Sequence, residues 1–400
     1  MSGKPHEKPS EDADARYSRY ARAFAGRERP FAYVDLDLLD RNADALVARA
    51  GQLPIRVASK SVRSVAILKR VLSRPGFRGV LAYRASEAVF LADQGIQDIV
   101  VAYPTIETEE LASLTAALRR GAEITLMVDR PEHLKILSTA ASAGGFPIRF
   151  AFDFDLSVSL PGIHFGVHRS WINTGERLAT LLAALPLHPL LQFDGVMGYE
   201  AQIAGVDDRS TAARFLKRWT WPKIIARRAE FVRLIQLAGY APRFVNGGGT
   251  GSFEQTRTDP TVTELAAGSG LYSPTLFDGY RSFRHEPAAG FALSVSRKSE
   301  RQAATCFGGG YVASGTAGNE KLPSPYLPPD LKLFPLEGPG EVQTPVGGMG
   351  AAALKIGDPV FFRHAKAGEL CERFDALYLL QGDRVVDTVP TYRGQGKNFG

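Results

Sequence analysis

Eight short apolar runs, separated by stretches with helical periodicity, constrain this chain more than any other feature. The runs lie at 55–59, 79–83, 98–102, 124–128, 148–154, 193–198, 243–246 and 262–267. Amphipathic segments at 86–94, 107–119, 131–141, 174–184 and 212–237 fall between them. Near-continuous apolar strands joined by helices indicate a parallel sheet covered on both faces. Eight such units close into a (β/α)8 TIM barrel of about 250 residues. A doubly wound open sheet is the rival arrangement. The count of eight favours the barrel, although the last run is the weakest.

Beyond about residue 283 the alternation stops. Runs at 291–297, 303–307, 359–363, 376–381 and 384–388 read as strands, with Gly- and Pro-rich stretches at 323–329 and 337–350 between them. Crossover helices are missing, so this is a second, mostly β domain. A further strand at 31–37 precedes a helix, 38–51, that leads into the barrel. The expected organisation is an N-terminal arm (1–28), a barrel domain (29–283) and a C-terminal β domain (284–400), to which the N-terminal segment has room to contribute.

Composition narrows the function classes. The chain has 400 residues and a net charge of +6, and its basic residues are scattered rather than clustered, which argues against nucleic-acid binding. No apolar segment approaches the roughly 20 residues that span a bilayer. Residues 1–29 lack the apolar centre of a signal peptide. Two cysteines, Cys306 and Cys371, cannot form a disulfide framework. A cytoplasmic location is therefore expected, with no membrane or nucleic-acid partner.

Lys60 ends the first apolar run. An amine at the tip of a buried strand can lose its charge through desolvation, and a neutral amine is a nucleophile toward carbonyls. Taken alone, Lys60 could equally be a lysine snorkelling from a strand end. Far downstream, Asn246-Gly247-Gly248-Gly249-Thr250-Gly251 removes side chains so that backbone N–H groups can approach a phosphate, and Thr250 adds a hydroxyl. Gly268-Ser269-Gly270 follows the last run. Phosphate sites of TIM barrels lie after strands seven and eight, where these two segments fall. A triple glycine is otherwise only a flexible turn. A reactive lysine plus a phosphate cup is the minimum apparatus for holding pyridoxal 5'-phosphate as a Schiff base. Tyr83, Arg84, Tyr103, Asp153, Asp155, Tyr199 and Glu200 also fall at strand ends, the catalytic face of such a barrel.

On these residues the chain resembles the fold-type III pyridoxal-phosphate enzymes, the alanine-racemase-like barrels. It is most similar to their branch of D-threonine aldolases and eukaryotic-type D-serine dehydratases. The resemblance is carried by Arg56-Val57-Ala58-Ser59-Lys60-Ser61, Gly166-Val167-His168-Arg169-Ser170, Gly195-Val196-Met197-Gly198-Tyr199-Glu200, the glycine motif, and part of Phe362-Arg363-His364-Ala365-Lys366. It implies that Lys60 forms the Schiff base and shuttles protons. It also implies that Tyr83, Arg169 and Tyr199 border the cofactor, and that Gly248, Gly249, Thr250, Gly268 and Ser269 hold its phosphate. A surface cation is the plain alternative for Arg169. A homodimer is implied as well.

One departure is instructive. Members of this branch place a divalent metal on a histidine and, two residues later, an aspartate or cysteine. Here the second position is Lys366, and an ammonium cannot ligate a metal. The usual site is expected to be broken, with His364 its only surviving ligand and Glu369, Cys371 or Glu372 able to substitute only if the loop folds back. Without the ion, His364 or Lys366 would contact the substrate's β-hydroxyl as acid, base or donor. The activity implied is a lyase acting on a small β-hydroxy-α-amino acid of D configuration, with aldol-type cleavage or transfer ahead of a D-serine-type dehydratase. An amino-acid racemase and a non-catalytic pyridoxal-phosphate-binding protein are the remaining alternatives.

Overall fold

The structure is a computed structural model and describes residues 11–299 and 303–400. The chain divides into two compact units. One contains Arg41–Tyr272, Phe277–Glu286 and Gln395–Gly400; the other contains the described residues up to Asp40, Ser273–Leu276 and Pro287–Gly394.

The first unit is a closed barrel of eight parallel strands. In chain order they are Ile55–Ala58, Phe77–Ala82, Ile99–Val101, Ile124–Val128, Ile148–Asp153, Leu191–Gly198, Phe244–Gly247 and Glu264–Ala267. All eight expected runs are present. The last strand closes the ring on the first, with Leu265 beside Ile55 and Ala267 beside Val57. Val100, Ala102, Met127, Ala151, Met197 and Phe244 form a buried apolar cluster among the strands.

The eighth strand reads weakly because it carries a glutamate, and the structure explains why. Glu264 is buried and takes two hydrogen bonds from the fully buried Arg56 of the first strand, at 2.7 and 2.9 Å. Asn246 of the seventh strand donates to the same carboxylate at 2.9 Å. Arg56 also reaches the carbonyl of Asp98 at 2.6 Å, and the Asp98 carboxylate accepts from Arg243 at 3.1 Å. The polar residues in these strands thus satisfy one another across the seam.

Helices follow most strands, at Val65–Leu72, Ala85–Asp93, Thr108–Arg119, Pro131–Gly144, Gly175–Ala184 and Thr211–Leu237. Their ends obey local chemistry. Thr174 and Ser210 cap their helices by accepting from Arg177 N–H and Ala213 N–H, and Gly145 ends another in the left-handed conformation. A hairpin, Val158–Leu160 with Ile163–Phe165, is inserted after the fifth strand.

The second unit is a nine-stranded sheet. Along its main path run Lys332–Leu333, Gln343–Gly347, Ala304–Phe307, Ala289–Lys298, Phe31–Asp35, Ala376–Gln381 and Arg384–Pro390. Pro359–Arg363 pairs with both Ala289–Lys298 and Ser324–Leu327. The strand expected at 31–37 lies in this sheet, parallel to Ala376–Gln381 and antiparallel to Ala289–Lys298. Three strands, at Ser324–Leu327, Lys332–Leu333 and Gln343–Gly347, fall within or beside stretches read as Gly- and Pro-rich separators. Ser324–Leu327 pairs on one side only, where a proline costs the ladder least. Helix Ala13–Ala23 packs on the sheet through Tyr20 and Phe24 against Phe31, Tyr33, Phe361 and Leu380. The Tyr20 hydroxyl donates to Asp35 at 2.9 Å.

Removing Arg56 tests the seam. Arg56→Met leaves Glu264 buried without its cation and is expected to destabilise the protein by about 3–5 kcal/mol in denaturant unfolding. A loss under about 1 kcal/mol would show that barrel closure does not depend on this pair.

Candidate active site

The first strand leads directly into a single 3₁₀ turn, Ser59–Ser61. Ser59 and Ser61 are buried and Lys60 is exposed. The Ser59 carbonyl accepts from Val62 and Arg63 N–H at 2.8 and 2.9 Å, which fixes the turn and carries the lysine out of the strand. The burial expected for this amine is therefore not supplied by protein packing. Instead its Nζ stands 3.3 Å from the Tyr103 hydroxyl and 5.9 Å from that ring's centre.

Tyr103 follows the third strand and Tyr199 the sixth. The Arg169 guanidinium lies 5.7 Å from the ring centre of Tyr103 and 5.9 Å from that of Tyr199. Arg169 is exposed, yet it belongs to the same constellation as Lys60 through Tyr103. Its loop is tied back where the Ser170 hydroxyl donates to the Asp153 carbonyl at 2.6 Å. Burial pushes the Tyr199 hydroxyl up to about 12, with Arg169 opposing. Tyr83 is likewise raised to about 12, by burial and then the Glu87 carboxylate. Both phenols thus stay protonated at neutral pH. The Asp153 carboxyl is held well above the usual range by burial and then by Asp129, against the pull of Arg169.

The loops after strands seven and eight meet. Gly270 N–H donates to the Thr250 hydroxyl at 3.1 Å, and the Ser61 and Ser269 hydroxyls lie 3.0 Å apart. The loop carrying Lys60 thus touches the second glycine segment. The glycines act mainly by leaving room. Gly248 has φ +79°, in the left-handed region, and a Cβ on Gly268 would stand 2.4 Å from the Ala58 carbonyl. A Cβ on Gly249 would crowd Ala204 at 3.1 Å and Tyr199 at 3.4 Å, so the loop packs against the Tyr199 ring.

Gly248 and Gly249 N–H are not free for a ligand. They donate to Glu200 at 2.7 Å and to the Ser252 hydroxyl at 3.1 Å. Among the described residues, the N–H groups of Thr250, Gly251 and Ser269 have no protein acceptor. Three backbone donors and the Ser61, Thr250 and Ser269 hydroxyls, on loops that touch, fit a phosphate.

Behind this cup lies a network that the strand-and-glycine reading overlooks. Glu200 pairs with the fully buried Arg228, which also pairs with Asp259. A Cβ on Gly247 would lie 3.1 Å from Glu200 Oε1 and 3.3 Å from Arg228 Nη2, so the first glycine makes room for the pair. Arg49 donates to the Thr250 carbonyl at 2.6 Å and to Glu254 at 2.6 Å. His285 sits 3.0 Å from the Gly270 carbonyl, and burial, then Arg49, lowers it to about 4. Arg228 is a cation in the middle of a long, arginine-rich helix, so its spacing carries no signal.

His364 and Lys366 belong to the β unit. His364 is buried; burial, then Arg363, depresses its ring to about 3, so it is neutral. Lys366 is partly exposed and donates to the Ser314 hydroxyl at 2.8 Å, with Glu369 at 3.5 Å. Glu369 also accepts from Ser314 N–H at 2.8 Å. Cys371 is buried. Among the described residues no three His, Cys, Asp or Glu side chains come together as a metal site. An ammonium paired with Glu369 does not fit a divalent cation.

Comparison with known proteins bears on the family and the fold. Residues 34–275, more than half of the chain, match the family model of the alanine racemase N-terminal domain. A 3-hydroxy-D-aspartate aldolase of Paracoccus denitrificans (strain Pd 1222) is 29% identical over 244 residues, 60% of this chain and 59% of that protein. A D-threonine aldolase of Arthrobacter sp is 27% identical over 266 residues, 64% of this chain and 66% of that protein. The chain thus spans about three fifths of the length of the curated relatives it matches. Among solved structures, D-threonine aldolase from Filomicrobium marinum superposes with a TM-score of 0.79 at 22% identity, covering 92% of this chain and 95% of that one. D-threo-3-hydroxyaspartate dehydratase from Delftia sp. HT23 gives 0.75 at 19% identity, covering 92% and 98%. At these identities the likeness shows the fold.

Two predictions follow from the residues behind the cup. Arg228→Met leaves Glu200 and Asp259 facing the rear of an anion site. It is expected to weaken binding of pyridoxal phosphate on the order of tenfold or more by equilibrium titration; unchanged affinity would remove Arg228 from the site. His285 binds its proton less readily folded than unfolded, because its ring is depressed to about 4 from 6.5. Its contribution to stability is present above about 6.5 and is lost as pH falls toward about 4, on the order of 3 kcal/mol in all. Unfolding curves of wild type and His285→Gln should therefore diverge over that window, and parallel curves would contradict the assignment.

Proposed function

The chain belongs to the alanine racemase N-terminal-domain family, and from that premise we propose that it is a pyridoxal-phosphate-dependent lyase that cleaves a D-configured β-hydroxy-α-amino acid in the aldol sense. The observation that carries this reading is the union of Lys60, the Tyr103–Arg169–Tyr199 constellation and the two glycine loops at one end of the barrel. Names of the curated relatives, an aldolase of 3-hydroxy-D-aspartate and one of D-threonine, support the substrate class.

When bound, pyridoxal phosphate supplies a carbonyl that captures amines and a conjugated ring that accommodates negative charge at Cα. Thr250, Gly251 and Ser269 N–H groups, with the Ser61, Thr250 and Ser269 hydroxyls, would hold its phosphate. Gly248, Gly249 and Gly268 shape the cup. Lys60 Nζ would hold the cofactor covalently and carry protons, with the Tyr103 hydroxyl 3.3 Å away as its neighbour. Arg169 would provide a cation and the protonated Tyr199 a donor beside the cofactor, and Tyr83 would border it.

The reaction sense depends on the group serving the β-oxygen. Aldol cleavage needs a base there and elimination needs an acid. We assign the base to His364 from the likeness of segment 362–366 to the family's motif; burial keeps its ring neutral. Lys366 donates, and if it dominates, the outcome is a D-serine-type dehydration; this is the second reading. Neither step uses a metal ion in this proposal. We also place the enzyme in the cytoplasm as a homodimer. Both cysteines are buried thiols, and among the described residues no helix is long and apolar enough to cross a membrane. Phe307, Leu336, Val342 and Met349 present exposed apolar surface on the β unit, suited to a second copy.

Incubation with D-threonine, D-3-hydroxyaspartate and D-serine tests the assignment. Glycine with the matching aldehyde is expected; a keto acid with ammonia would establish dehydration, and an L-isomer would establish racemisation. Lys60→Ala is expected to lower turnover by about a thousandfold or more. EDTA is expected to leave activity intact. Its loss on chelation, with recovery on manganese or zinc, would overturn the metal-free reading.

A further inference from the structure

We propose that segment 395–400 is part of the catalytic scaffold and that Phe399 is a positioning residue for Lys60, acting through Tyr83 and Arg63. The inference rests on the reading of Lys60 as the reactive amine. Gln395–Gly400 belongs to the same compact unit as the barrel. Phe399 is only 8% exposed. Its ring lies 5.6 Å from Phe90 and meets Tyr83 edge-on at 6.4 Å. Arg84 Nη1 donates to its carbonyl at 3.3 Å, and Lys397 stands 5.8 Å above the Phe90 ring. Phe399 thus fills the slot between the end of the second barrel strand and helix Ala85–Asp93.

Two further contacts continue from that slot to the site. The Arg63 guanidinium lies 5.3 Å from the Tyr83 ring centre, and Arg63 Nε donates to the Lys60 carbonyl at 3.0 Å. Arg63 has φ +49°, a conformation that a side-chain-bearing residue rarely adopts and that persists only where its surroundings hold it. The Tyr83 ring and the Lys60 carbonyl are two of the groups holding it. Emptying the Phe399 slot lets the Tyr83 ring turn into the space. Arg63 then loses its aromatic support, and the turn that presents Lys60 loosens. Phe399 itself meets none of the reacting groups, so its influence is geometric.

Phe399→Ala and Phe399→Tyr test this, each measured below its own unfolding midpoint. For Phe399→Ala, kcat is expected to fall on the order of tenfold with KM little changed, and Phe399→Tyr to restore it. A second readout needs no cofactor: the rate at which an amine-acylating reagent labels Lys60 in cofactor-free protein, mapped by peptide mass. That rate should change about threefold or more in Phe399→Ala. Arg63→Met should reproduce both effects, and the double variant should be no worse than either single one. Wild-type labelling and kcat in folded Phe399→Ala would overturn the proposal, as would full additivity with Arg63→Met. Should Lys60→Ala keep its turnover, the reading of Lys60 fails instead. The labelling rate would still report separately whether the segment positions that amine.

Discussion

Barrel closure is the constraint on which the site depends. Glu264–Ala267 must lie against Ile55–Ala58, and only that pairing brings the turn bearing Lys60 beside the loops of Thr250 and Ser269. Some 190 residues separate Lys60 from Thr250 in the chain. Their proximity comes entirely from a ring of strands that ends where it began. The Arg56–Glu264 pair sits in the seam and gives the register a chemical identity, because a slip of one residue would point either charge away from its partner. The same strand that closes the fold therefore leads into the Gly268–Gly270 segment, half of the proposed phosphate cup.

Electrostatics at the cup follow from burial more than from exposed charge. Glycine N–H groups look like the obvious anion donors, yet two of them serve Glu200 and Ser252, and their work is to hold the loop. Glu200 is acceptable behind an anion site because Arg228 faces it with no access to water. Arg49 braces the Thr250 carbonyl, which leaves the N–H groups of the following turn available. The loop is thus tied through its own backbone groups to Glu200, Ser252 and Arg49.

Much of this was legible before the fold was known, for reasons specific to particular residues. Eight apolar runs identify the barrel because its strands are buried on both faces. Lys60 stands out because it follows closely on an apolar strand, and Gly247-Gly248-Gly249 because three consecutive glycines end another, with Gly248 at φ +79°. The eighth strand was faint because Glu264 breaks its apolar run, and its partner Arg56 lies over 200 positions away. Ser324–Leu327 and Gln343–Gly347 were hidden by Pro325 and Pro345, the first of which an irregular ladder accommodates, and Lys332–Leu333 is only two residues long. Arg228 and Phe399 carry no local signature, since their meaning lies in what the fold sets beside them. The exposure of Lys60 was also beyond a pattern reading, which locates the strand's end but not the turn that follows it.

The central claim is a covalent one, that the amine of Lys60 captures the carbonyl of pyridoxal phosphate. Borohydride reduction of the purified protein with its cofactor, followed by digestion and peptide mass analysis, addresses it directly. The account predicts loss of the visible absorption band and a single modified peptide, with the added mass on Lys60. A band that survives reduction, or a modification carried by any other lysine, would contradict it.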